Sequence, residues 1–336
     1  MRTLVTGSTG FLGSHLVERL LAQGHEVRAL ARNTSNLDHL RSTGVEIVFG
    51  DIEDYESLIP AVKGIEVVFH AAARVTPGWG EWHLFQASIV SGTENMLMAS
   101  AEAGCSRFLY FSTGGVYGKA CEGDTAACES TPCHVDLRRD TYYESAKLLA
   151  EQAVFKYHDQ DRIQGSVIRP GAVYGPRDRL VADRVFRHVS GPVVVWPGQS
   201  DPLYSVVYAS DTADCAIAAA TSDRAAGQVY NVAPAEGIRF RDFAAAMIRA
   251  TGGSKLHLTV PYGVSYCFCG VLEGWSKLRR VDKMPYLTRS ALRFLGKGVF
   301  LDSTKAREEL GWEPKVSMEE GTALYVQWRL SQEGAP

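Results

Sequence analysis

Apolar residues in the first half of the chain fall into two alternating patterns. Short, nearly continuous apolar runs read as strands: Arg2-Thr3-Leu4-Val5, Val27–Ala31, Val45–Phe49, Val67–His70, Phe108–Phe111 and Ser166–Arg169. Between them, apolar residues spaced by three and four read as helices, notably Ser14–Leu21, Leu84–Ala103 and Tyr143–Tyr157. This alternation predicts an α/β fold with a doubly wound parallel sheet covered by helices on both faces. Beyond about residue 176 the pattern loosens into short strands, Pro/Gly turns and helices such as Thr212–Thr221 and Phe240–Thr251. The expected division is therefore 1–176 as the sheet domain and 177–336 as a smaller lobe, with some segments free to return to the sheet. Ligands of open α/β sheets bind at the carboxyl ends of the strands, where that lobe would sit.

The first strand-to-helix turn is Thr6-Gly7-Ser8-Thr9-Gly10-Phe11-Leu12-Gly13. Glycine at 7 permits the tight turn, at 10 lets the backbone approach a pyrophosphate, and at 13 lets the helix pack close to the sheet. Phosphates would then sit on free N–H groups at the positive end of a helix, so the motif predicts a bound dinucleotide. A site that prefers NAD places Asp or Glu at the end of the second strand, to bind the ribose 2′-OH. Here Ala31 and Arg32 stand there, which favours the 2′-phosphate of NADP(H) and leaves NAD(H) as the alternative. An ordinary surface arginine is the other reading of Arg32. Gly50-Asp51-Ile52 after the third strand is expected to flank the adenine. The small side chains of Ala71, Ala72 and Ala73 after the fourth strand would let the cofactor lie against the backbone.

Tyr143-Glu144-Ser145-Ala146-Lys147 sets a phenol and an ammonium four residues apart, on one face of a helix. The ammonium, with an oxidised nicotinamide, would lower the phenol pKa and make Tyr143 an acid or base near neutrality. A hydroxyl at the end of the fifth strand would hold the reacting oxygen. Thr113 is the first candidate and Ser112 the second, against a plain strand-end turn bond for either.

The chain has 336 residues, 46% hydrophobic, with a net charge of −3, so it has no bulk attraction to nucleic acid or an anionic membrane. No run is long enough to span a bilayer, and no secretory leader is expected because the first strand begins at residue 2. The expected location is cytoplasmic. Seven cysteines without paired spacing fit reduced thiols. Cys121, Cys128, Cys133 and His134 lie close together, but without a C-x-x-C knuckle the segment reads as a solvated loop, and no metal is expected.

The order Thr-Gly-x-x-Gly-x-x-Gly, Gly-Asp, His-Ala-Ala, Ser-Thr…Val-Tyr-Gly, Tyr-x-x-x-Lys and Arg169-Pro170-Gly171-Ala172-Val173-Tyr174-Gly175-Pro176 resembles the extended short-chain dehydrogenase/reductase superfamily. The resemblance spans nearly the whole chain. It implies a Rossmann-type domain, a C-terminal substrate lobe, and a catalytic set of Thr113, Tyr143 and Lys147. It also implies that Gly7, Thr9, Gly10, Phe11, Leu12, Gly13, Ser112, Pro170, Gly171 and Val173 lie at the cofactor. A homodimer through the helices near 84–103 and 143–157 is implied as well. Two departures speak against the nucleotide-sugar branch: Ala172 replaces a usual Asn, and Tyr204 stands where an Arg often binds the sugar-nucleotide pyrophosphate. Ile89, where the family usually has Asn, is a third departure.

Val67–Ala73 with Trp79-Gly80-Glu81-Trp82, Pro285–Arg289, Asp302–Arg307 and Leu310–Pro314 are similar to the 3β-hydroxysteroid dehydrogenase-like and dihydroflavonol reductase-like branches. That similarity implies reversible oxidation of a secondary alcohol on an apolar substrate, such as a steroid, a flavonoid or a long-chain β-hydroxy acid. Thr113, Tyr117, Trp79 and Tyr204 are the expected substrate contacts. The alternatives are a nucleotide-sugar epimerase or dehydratase that retains its cofactor, and a non-catalytic NADP sensor. Val264–Leu272 with Trp275 reads either as an apolar wall over the substrate or as a buried helix. The adjacent Lys277, Arg279 and Arg280 admit contact with a membrane surface.

Overall fold

The computed structural model describes residues 1–75, 80–138, 141–198, 201–252, 255–279, 288, 289, 292 and 298–333. Six strands alternate with helices as the apolar pattern predicts: β1 (Arg2–Thr6), β2 (Glu26–Ala31), β3 (Glu46–Phe49), β4 (Val67–His70), β5 (Arg107–Phe111) and β6 (Gln164–Pro170). A seventh strand, Val229–Val232, comes from the second half of the chain and pairs with β6, Val229 opposite Val167. The sheet order is Val229–Val232, β6, β5, β4, β1, β2, β3, and every pairing is parallel. The switch in strand order between β1 and β4 opens a crevice at their carboxyl ends.

Alternate residues of each strand feed two different cores. Val5, Ala29, Phe69, Leu109 and Ile168 pack on one face, under Leu16 and Leu20 of the Phe11–Ala22 helix. Leu4, Leu30, Val68, Phe108 and Val167 pack on the other, against Met96 and Leu97 and against Ala146 and Ala150. Because both faces are buried, the strands show no polar alternation, which is why their sequence reads as continuous apolar runs. A third core gathers Tyr174, Phe186, Trp196, Phe243 and Tyr325, apart from the two faces of the sheet. Among the described residues no helix is long and apolar enough to cross a membrane.

The expected helix at Leu84–Ala103 is present from Trp82 to Glu102, but residues Gln86–Ser91 form a π-helical segment. Ile89 sits in that segment, fully buried in the second core, so the position holds packing rather than a polar contact.

One buried hydrogen-bonded chain ties the sheet to this helix. The Thr93 hydroxyl donates to the Ile89 carbonyl (2.5 Å), which leaves its oxygen to accept from His70 Nε2 (3.1 Å). His70 Nδ1 then accepts from Thr6 Oγ1 (2.8 Å), and Thr6 Oγ1 accepts the Ala72 N–H (3.1 Å). The arrangement requires a neutral imidazole. Burial, with the nearby Lys147 charge second, lowers the His70 pKa to about 3.

In the unfolded chain the imidazole takes a proton near pH 6.5, so between about 6.5 and about 3 the unfolded state binds more protons. His70 should therefore make stability fall as the pH drops through that window, by up to about 1.4 kcal/mol per pH unit. Urea midpoints measured from about pH 4 to 7 should show this extra slope in the wild type and not in His70→Gln. Parallel profiles would mean that His70 is not held neutral.

Candidate active site

The crevice at the strand ends is a cleft of about 2080 Å³ that runs from the first glycine turn to Val193, Val260 and Val264. At its floor Gly7 has φ +67°, and a Cβ there would lie 2.8 Å from the Ala72 nitrogen. A Cβ on Gly13 would lie 2.2 Å from the Gly7 carbonyl oxygen. The two glycines therefore let turn, helix and β4 end close onto one another. Gly10 is the helix N-cap and no side chain caps it. The first-turn N–H groups of an α-helix have no partner within the helix, and this end meets the cleft through Gly10, Phe11 and Leu12. Thr9 lines the same wall.

Ala31 is buried at the end of β2, and Arg32 is exposed beside it on the cleft wall. Asp38 and His39 also face this end. Asp51 lines the cleft with one carboxylate oxygen accepting the Glu53 N–H (3.1 Å). Ile52 lies beside it, and a Cβ on Gly92 would come within 2.9 Å of its Cδ1. Ala71, Ala72 and Ala73 form the small-residue floor that the sequence predicts.

At the inner end, the helix Tyr142–Asp159 carries Tyr143, Lys147 and Glu151 on one face, at i, i+4 and i+8. Lys147 is 2% exposed. Its Nζ donates to the Phe111 carbonyl (2.6 Å), lies 4.7 Å from the Tyr110 ring centre and 5.9 Å from that of Tyr143. Thr113 lines the cleft, with Oγ1 accepting the Gly115 N–H (3.2 Å). Pro170, Gly171 and Val173 close the side wall. Gly171 is required there, because a Cβ would lie 2.3 Å from the Ser205 carbonyl oxygen.

Burial lowers the Lys147 pKa to about 7, against the opposing charge of Glu151. Burial, with Glu144 second, pushes the Tyr143 phenol above its ordinary value. In the protein alone, without the oxidised nicotinamide that the expected lowering also calls for, Tyr143 therefore holds its proton.

Placement corrects the expectations for Tyr117 and Tyr204 and shows what Ser112 is tied to. Ser112 reaches the cleft, but its hydroxyl donates to the buried carboxylate of Glu151, which also takes Arg169 Nε (3.0 Å) and Nη2 (2.6 Å). Ser112 is thus a fixed part of an ionic cluster rather than a free hydroxyl. Tyr117 is fully buried, its OH donating to Asn231 Oδ1 (2.8 Å) under the Arg169 guanidinium, and it is not on the cleft wall. Tyr204 is 1% exposed and packs on Phe240, again away from the wall. Trp79 lies outside the described residues. Ala172 lines the cleft, its N–H donating to the Ser205 carbonyl (2.8 Å).

Two carboxylates were not anticipated. Glu144 lines the cleft beside Gly115, where its Cγ is 3.0 Å from the position of a Cβ. Glu151 anchors Ser112 and Arg169. Its signal was the four-residue step beyond Lys147 on the same helix face. Cys121 is buried with Sγ on the Gly118 carbonyl (3.2 Å). Among the described residues no group of three His, Cys, Asp or Glu side chains is placed to hold a metal.

The glycine cradle, the uncapped helix end and the alanine floor fit an extended dinucleotide. Residues 3–233 match the NAD dependent epimerase/dehydratase family. The chain is 28% identical to a 2-alkyl-3-oxoalkanoate reductase of Stenotrophomonas maltophilia, over 96% of this chain and 97% of that one. It is 31% identical to a 3β-hydroxysteroid dehydrogenase/Δ5→4-isomerase of Mycobacterium tuberculosis, over 98% of this chain and 90% of that one. A solved UDP-glucose 4-epimerase of Thermus thermophilus in complex with NAD superposes with a TM-score of 0.76, at 26% identity and over 100% of both chains. The chain belongs to the NAD-dependent epimerase/dehydratase family and is an NAD(P)-dependent oxidoreductase of the extended short-chain dehydrogenase/reductase type.

Proposed function

We propose that this enzyme is an NADP(H)-dependent reductase of an apolar ketone, with oxidation of the secondary alcohol as the reverse reaction. One observation carries the reading: Thr113, Tyr143 and Lys147 stand in the same cleft as an apolar wall of Val193, Val195, Val260, Val264 and Phe268. A ketone on an apolar frame fits between them, whereas a charged sugar nucleotide would find Tyr204 buried where an arginine is needed. The reductase and the hydroxysteroid dehydrogenase among its relatives support the same class, since both names describe chemistry at an oxygen on such a frame.

The nicotinamide, when bound, supplies the hydride to the carbonyl carbon. Tyr143 gives its phenolic proton to the carbonyl oxygen, and a phenol that keeps its proton at neutral pH suits that direction. Thr113 Oγ1 donates a hydrogen bond to the same oxygen and fixes the face presented. Lys147, held by the Phe111 carbonyl, stabilises negative charge on the phenol oxygen as the proton leaves. Arg32 binds the 2′-phosphate at the other end, beside the small, neutral Ala31.

A second reading, epimerisation or dehydration of a nucleotide sugar with retained cofactor, draws on the Thermus thermophilus epimerase. The two readings separate on cofactor use. NADPH oxidation against 3-ketosteroids, long-chain β-keto acids, dihydroflavonols and nucleotide sugars should show turnover of one apolar class. Tyr143→Phe should lower it by roughly a hundredfold to ten-thousandfold. Conversion of a nucleotide sugar without net NADPH use would replace the reductase by the second reading. Arg32→Ala should cut kcat/KM for NADPH by roughly ten- to a hundredfold and leave NADH nearly unchanged. Equal loss with both cofactors would mean that Arg32 does not meet the 2′-phosphate.

A further inference from the structure

The helix Tyr262–Leu278 is amphipathic with its apolar stripe turned outward. Val264, Phe268, Val271, Trp275 and Leu278 are 59, 55, 66, 54 and 85% exposed. At 100° per residue they fall within an arc of about 80°. Cys269 and Glu273, on the opposite side, are buried. Val264 and Phe268 line the cleft, and the buried-helix alternative fails along the exposed stripe.

The patch extends beyond the helix. The strands Val193–Pro197 and Leu256–Val260 pair in parallel, and Leu256 and Leu258 are exposed beside their register partners Val193 and Val195. Val193 and Val195 also line the cleft, so the exposed apolar surface is continuous with the cleft mouth. Exposed apolar patches rimmed by polar groups mark sites of association.

The charge beside the patch selects the partner. In sequence, Lys277, Arg279 and Arg280 stand at the end of this helix with no acid among them, in a chain whose net charge is −3. The Arg279 guanidinium lies 4.8 Å over the Trp275 ring, and Arg289, which meets the helix from outside it, is neutralised by Glu273. An outward apolar stripe, an aromatic at its end and a basic flank together match a helix lying in the headgroup region of an anionic bilayer. A second copy of the chain would bring no carboxylate from this helix to meet those cations, because its single acid, Glu273, is turned inward onto Arg289.

We propose that this face docks the enzyme on an anionic lipid surface, with the cleft mouth toward the acyl chains from which an apolar substrate enters. Delivery of substrate presupposes the reductase reading; lipid docking does not, so the two can fail separately.

Flotation with phosphatidylcholine vesicles, alone and with a quarter phosphatidylglycerol, tests the docking. The wild type should partition to the anionic vesicles, and added salt should release it. Lys277→Gln/Arg279→Gln/Arg280→Gln should weaken that partition by about a hundredfold. Val271→Glu/Trp275→Glu should abolish it while NADPH oxidation with a water-soluble ketone persists. If the Glu variant does not fold, the Gln variant carries the test alone. No flotation of the wild type, or unchanged flotation of the variants, would overturn the proposal. So would a smaller assembly of the Glu variant by light scattering, which would make the face a contact between copies. A dimer joined through the helices Gly92–Glu102 and Tyr142–Asp159 would be unaffected by these changes.

Discussion

Lys147 brings an ammonium group to a position only 2% exposed, and the inner end of the cleft is built around holding it there. A buried cation is tolerated only where oxygen acceptors and opposite charge replace its hydration. Here the Phe111 carbonyl, the face of Tyr110 and the carboxylate of Glu151 take that part. Glu151 in turn is held by Arg169 on β6 and Ser112 at the end of β5. One helix face and the ends of two neighbouring strands are thereby fixed to each other by charge. Thr113 and Tyr143 take their positions from that cluster, each one residue or one helical turn from a member of it.

The cofactor end is held by different means. There the constraint is steric: Gly7 and Gly13 lie where any side chain would strike backbone atoms of the turn. The neutral His70 chain is its polar counterpart, because it ends on the Ala72 N–H in the floor that the cradle closes against. Charge fixes one end of the cleft and close packing the other, so both ends of the site are held by the fold itself.

The sheet was legible because burial on both faces removes polar residues from its strands, and the glycine turn because its spacing is set by backbone contact. The edge strand Val229–Val232 was not. It is short, and Asn231 interrupts its apolar run; that amide is buried, donating to the Ala127 and Asp302 carbonyls. Tyr143 and Lys147 were put together from spacing, since a helix fixes which residues share a face, and Thr113 from its place at the end of the fifth strand. Tyr117 and Tyr204 misled because an aromatic near a motif serves equally as a cleft wall or as core, and only the tertiary partners, Asn231 and Phe240, decide. Glu151 and Ser112 form a pair across two elements, which no local pattern records.

The place of Val229–Val232 in the sheet bears on how the chain is made. Until residue 232 has emerged during synthesis, β6 presents an unpaired edge, with the backbone groups of Val167 and Ile168 open to any passing strand. The nucleotide-binding half therefore spends the time needed to translate more than fifty residues as an incomplete sheet, exposed to association with other nascent chains. A chaperone that covers this edge would act during that interval, before Val229–Val232 pairs with β6.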